Sequence, residues 1–220
     1  MKQHLFLFCI VCFTFNGCIN NAVKRKDERA YLAIGKQKWA QENLKKAFFN
    51  NGDSIPFISD PSEWKDAGIQ KSPAYCYYDG KIENANIYGY QYNFFAISDP
   101  RGLAPAGFSI PTKDDWNVLI NQVGGIENAG INLKSSNLWK VPRTSIRDGV
   151  FDSRPGGFRD GNGNFGNIRI GCPYWTSTKN ESSKVWSVHI VHDLPNVLIT
   201  TNGEVEGGGY IRCIKLNDHK

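Results

Sequence analysis

Hydrophobic positions fall into three textures along the chain. Leu5–Phe15 (LFLFCIVCFTF) is an unbroken apolar run of eleven residues, too short for a membrane-spanning helix, which takes ~20. From Tyr31 to Leu133 the apolar residues come in short groups separated by turn formers. Tyr31–Ile34, ended by Gly35, predicts a first strand, and Asn50-Asn51-Gly52-Asp53 a turn. Ser62–Gly68 predicts one helical turn around Trp64, and Pro73–Tyr78 a buried strand. Ile87–Ile97 is dense in aromatics and is expected at the centre of the core. The helical period is clearest at Thr112–Gly124, where Trp116, Leu119, Ile120 and Val123 fall at i, i+3, i+4 and i+7. Thr112 and Asp115 have capping-box spacing, and Gly124-Gly125 stops the helix. Ile126–Leu133 predicts a second short helix with Ile126, Ala129 and Leu133 turned inward.

Beyond Trp139 the period shortens towards two. Tyr174–Thr178, Lys184–Val191, Asn196–Thr201 and Tyr210–Leu216 predict strands. Pro155-Gly156-Gly157, Asp160-Gly161-Asn162-Gly163 and Gly207-Gly208-Gly209 punctuate them. Within Val185–Val191, Val185, Ser187, His189 and Val191 share one face. Trp186, Val188 and Ile190 share the other, which suits the core. A strand, then helices, then antiparallel strands reads as an α+β, loop-rich domain, here residues 31–217. A chain of 220 residues holds one such domain and a short appendage.

The appendage reads as an address. Lys2 precedes the apolar run, which has the length of a signal-peptide core. Gly17-Cys18 follows, resembling a bacterial lipobox, with Phe15 and Asn16 where Leu and a small residue are commonest. Residues 1–17 are therefore expected to be a lipoprotein signal peptide and Cys18 the lipidated first residue, anchored stably by more than one acyl chain. Residues 18–30 (polar, without period) read as a tether. The expected location is the cell envelope, on the outer membrane. Net charge is +5 but dispersed, so nucleic acid is not an expected partner.

Of six cysteines, Cys9 and Cys12 leave with the signal and Cys18 carries lipid. Cys76, Cys172 and Cys213 remain, so at most one pair can form.

Many segments of the chain resemble the Fibrobacter succinogenes major paralogous domain of Bacteroidetes-type exported proteins. They include Ile34–Trp39, Asn51–Pro56, Tyr92–Ala96, Gly102–Trp116 (GLAPAGFSIPTKDDW), Pro155–Arg159, Tyr174–Thr178 and Ile211–Lys215. The resemblance implies a C-type-lectin-like fold, distantly related to the formylglycine-generating enzyme. The family's usual Cys before Pro is here Ala104, whereas Cys213 is retained. Cys172 is then a replacement partner for Cys213, or both are buried free thiols.

No spacing supplies a catalytic set, a metal site or a cofactor site. His189 and His192, three apart, point to opposite sides of a strand. Asp160–Asn164 has calcium-loop character, but Phe165 and Gly171 stand where an EF-hand needs Gly and Glu, so a hairpin turn is expected. Leu194-Pro195-Asn196 lacks the carboxylate of a calcium–sugar site. Trp139, Trp175 and Trp186, with Tyr88, Tyr90 and Tyr92, are either core or a stacking platform for a sugar ring. The expected function is a non-catalytic module that binds glycan or protein. The alternatives are an oxidase of the formylglycine-generating type, using Cys172 and Cys213, and a purely structural envelope protein.

Overall fold

The computed structural model describes residues 31–134, 137–140, 151–182 and 184–216. The expected signal peptide, Cys18, the tether and His219 lie outside the described residues. The described residues begin with a hairpin, β1 (Tyr31–Ile34) and β2 (Gln37–Ala40), turning at Gly35, where φ is +58°. Next come α1 (Pro61–Ile69), β3 (Tyr75–Cys76), α2 (Ile82–Tyr88), β4 (Gln91–Tyr92), α3 (Phe94–Ile97) and β5 (Phe108–Ser109). The paired helices α4 (Lys113–Gln122) and α5 (Ile126–Leu133) follow. The remainder is β6 (Gly156–Arg159), β7 (Phe165–Ile168), β8 (Gly171–Lys179), β9 (Val185–Val191), β10 (Val197–Thr200) and β11 (Ile214–Lys215).

The strands form sheets β1-β2-β11-β5 and β10-β9-β8, with two-stranded ribbons β3-β4 and β6-β7, all paired antiparallel. Short helices on antiparallel sheets make this an α+β domain. Helix α4 packs on β8 and β9, and α5 on β10. Its start is built as its sequence dictates: Thr112 Oγ1 accepts from Asp115 N–H, and the Asp115 carboxylate accepts from Thr112 N–H. Trp116, Leu119 and Ile120 are buried, and Val123 is partly so.

Trp116 sits in a ring cluster with Trp39, Phe151 and Tyr174, centroids 5.1–5.7 Å apart. A second core joins Phe49, Ile55, Tyr92, Phe94, Leu103, Trp175 and Ile211. Two buried arginines tie distant segments together. Arg159 donates to Ile58 O, Ser59 O and Gly163 O, and its guanidinium lies over the Trp64 and Phe165 rings. Arg212 donates to Asn43 Oδ1, Ala40 O, Gln41 O and Phe151 O. Among the described residues neither makes an ion pair.

Four local expectations are corrected. Ser62–Gly68 belongs to a nine-residue helix, because Asp60 caps it and Pro61 opens it. Ile126 is 45% exposed; the inward positions of α5 are Ala129, Gly130 and Leu133. Gly130 is needed there, since a Cβ would stand 2.2 Å from Asn196 O. Trp186 is half-buried rather than core, with Lys113 Nζ 3.9 Å from its ring centroid. Of Tyr210–Leu216 only Ile214–Lys215 forms a ladder, because Tyr210 bridges to Tyr174 while Ile214 pairs with Trp39 and Ser109.

Candidate functional site

The register of β8 on β9 sorts their side chains. Cys172 lies opposite Ile190, and Tyr174 opposite Val188; these four are buried in the core around Trp116. Gly171 lies opposite Val191, Pro173 opposite His189, and Trp175 opposite Ser187. This second set forms the floor of a cavity of about 340 Å³. Its walls are Phe158–Asp160 at the end of β6, Asn167 and Ile170, and the segment Asn202–Glu204 with Gly207–Gly209. That volume is at the small end of the range for small-molecule sites, ~300–1,000 Å³.

Glycine lets the wall come close. Gly209 exchanges backbone hydrogen bonds with Tyr92, and Gly208 with Arg159. A Cβ on Gly209 would stand 2.9 Å from Trp175 Nε1. That indole nitrogen donates to Tyr92 O at 2.9 Å. Gly203 overlies the far edge of the same ring, with room for a methyl in ordinary contact at 3.5 Å.

The polar groups are few. Ser187 Oγ lies 2.9 Å from His189 Nε2 and 3.4 Å from Thr200 O. Burial holds the His189 pKa below its ordinary value of 6.5 by disfavouring the imidazolium, so the ring is neutral at pH 7. At the rim, Glu204 Oε2 accepts from Gly161 N–H, and Asp160 Oδ1 from Asn164 N–H. The second of these bonds closes the expected hairpin turn between β6 and β7. Ser187 and His189 form a hydroxyl–imidazole pair, but Ser187 is itself buried beneath Gly203.

The structure does not assemble the aromatic residues singled out in the sequence into one platform. Trp139 is buried, donating from Nε1 to Ser153 O at 3.0 Å. Trp175 lines the cavity but is only 5% exposed. Trp186 carries Lys113 on its face. Tyr88 and Tyr92 are core; Tyr90 stacks on Tyr75 at 5.1 Å. His192 lies near Asp193, 3.7 Å away, not with His189. Among the described residues no three His, Cys, Asp or Glu side chains converge as for a metal ion.

Cys76, Cys172 and Cys213 are free and buried. Cys172 belongs to the core around Trp116 and Cys213 to the second core. Burial pushes the thiols up, to about 12 for Cys76 and Cys213 and about 11 for Cys172, which keeps them protonated and unreactive.

Sequence reasoning placed Ser187 and His189 on one face but did not read them as a pair. The signal was there: residues two apart on a strand are neighbours on one face.

Residues 32–215 match the Fibrobacter succinogenes major domain. The chain belongs to that family. No curated protein and no solved structure matches it significantly. Several segments quoted above are structural within this Fibrobacter succinogenes major domain. Pro155–Arg159 ends in the buried Arg159, Ile211–Lys215 contains Arg212, and Gly102–Trp116 leads into the capping box of α4.

Proposed function

We propose that the protein is a non-catalytic binding module of the cell envelope that holds a glycan in the cavity over the outer face of β8 and β9. The cavity carries this reading: an apolar floor with a neutral imidazole and a few rim acceptors suits a compact polar ligand with an apolar face. The α+β architecture is compatible with a C-type-lectin-like fold, and lipid on Cys18 would hold the domain to the outer membrane. An oxidase of the formylglycine-generating type has less support. It calls for a close thiol pair, and here Cys172 and Cys213 lie in separate cores.

The test is glycan-array binding by the full chain purified in detergent. Selective retention, lost in His189→Ala and in the cavity-filling Gly203→Leu, is the expected result. No retention, or retention indifferent to both changes, overturns the reading. Copper bound by Cys172 and Cys213 with oxygen consumed on a thiol peptide would replace it with the oxidase. Mass spectrometry of the mature N-terminus should find a lipid-modified Cys18; cleavage elsewhere removes the anchor.

A further inference from the structure

Among the described residues that line it, the cavity has acceptors and no available cation. Asp160 and Glu204 meet only neutral N–H groups: the backbone and side-chain amides of Asn164 for one, the backbone of Gly161 for the other. Among the described residues neither carboxylate has an ion-pair partner. Arg159 contributes to the lining, but its guanidinium is committed elsewhere. Its Nε and both terminal nitrogens donate to Gly163 O, Ile58 O and Ser59 O, and the group lies over the Trp64 and Phe165 rings. His189 adds no charge at pH 7. Its Nε2 faces Ser187, and Nδ1 makes no hydrogen bond among the described residues. Either ring nitrogen can carry the proton, so the pair offers a neutral group and no positive charge. A ligand that suits this set brings donors and positive charge. The partly exposed floor residues Pro173 and Val191 offer apolar surface to the C–H face of a ring.

We propose that the cavity selects an amino sugar bearing a free, protonated amine over neutral and acidic sugars of the same size, the ammonium lying towards Asp160 and Glu204. This rests on the glycan-binding reading and names its ligand class. The attraction is electrostatic and only partly shielded from water. The expected preference is therefore modest, roughly three- to tenfold in Kd, and it weakens with salt.

The experiment is titration of the full chain in detergent with glucosamine, glucose, glucuronate and lysine amide, followed by calorimetry or ligand-observed NMR. Glu204→Gln and Asp160→Asn are compared with the parent. Both keep an acceptor for the loop N–H groups, and melting curves confirm that each folds. Glucosamine binding several-fold tighter than glucose, glucuronate weakest, and a glucosamine-to-glucose ratio that falls towards one in the variants would support the proposal. Glucose binding as tightly as glucosamine overturns it and leaves the glycan-binding reading standing. Lysine amide binding as tightly as glucosamine removes the sugar from the proposal. Binding of none of the sugars, with no glycan retained on the array, overturns both readings.

Discussion

On the inner face of the β8–β9 ribbon, Cys172, Tyr174, Val188 and Ile190 are sealed from water. On the outer face, Pro173, His189 and Val191 keep part of their surface. The two faces belong to the same strands and differ in what covers them. Helix α4 brings Trp116, Leu119 and Ile120, bulky side chains that fill space against the inner face. The Gly203–Gly209 segment brings mostly backbone over the outer face, and backbone held by its own hydrogen bonds cannot fill a hollow. The comparison teaches that a cavity here is a property of the cover rather than of the strands: side chains close a sheet face, and a glycine-rich wall leaves it open.

The contrast yields graded expectations. Truncation on the sealed side should cost most. Ile190→Ala or Leu119→Ala should each lose about 2–5 kcal/mol in chemical denaturation, the usual range for a buried aliphatic side chain; a loss below ~0.5 kcal/mol would show that the inner face is not the core. Gly209→Ala should come next, at about 1–3 kcal/mol, because its methyl group meets Trp175 Nε1. Gly203→Ala should change stability by less than ~0.5 kcal/mol, since its methyl finds ordinary contact. A large loss there would mean that the wall is packed as tightly as the helix.

The smallest effect is a pH dependence. His189 resists protonation in the folded chain because burial penalises its charge. As pH falls below about 6.5 the unfolded chain takes up the proton first, so stability is full above that value. It declines through the window down to the lowered folded-state pKa and then levels off. Denaturant midpoints measured from pH 7.5 to 5 should show this slope, and His189→Gln should flatten it. An unchanged slope in that variant would assign the effect to another group.

Helix α4 was legible because everything that makes it is local: a cap three residues from its partner, an apolar face within two turns, and a glycine stop. The alternation of β9 was legible for the same reason, down to the shared face of Ser187 and His189. What covers that face was not, because the cover comes from residues 158–160 and 202–209, which no periodicity links to β9. Trp186 illustrates the limit from the other side. The period placed it in the core, and Lys113, seventy-three positions away, takes its face instead. The three tryptophans named as candidates for sugar contact were chosen by residue type alone, and type does not reveal whether a ring shows its face or its edge.

Arg212 sets an order of events in time. Its guanidinium is held by groups at residues 40, 41, 43 and 151, and β2 pairs with β11 just beyond it. A chain made from the N-terminus has its first strands ready long before their partners exist. Until residue 212 emerges, the carbonyls of Ala40 and Gln41 lack their donor, and a guanidinium buried without them would carry a heavy desolvation penalty. Folding of the domain therefore completes only once Arg212 and β11 are present, and its long-range pairings make that step slow. A fragment ending before Ile211 would be left with an open first sheet, ready for a chaperone or a protease.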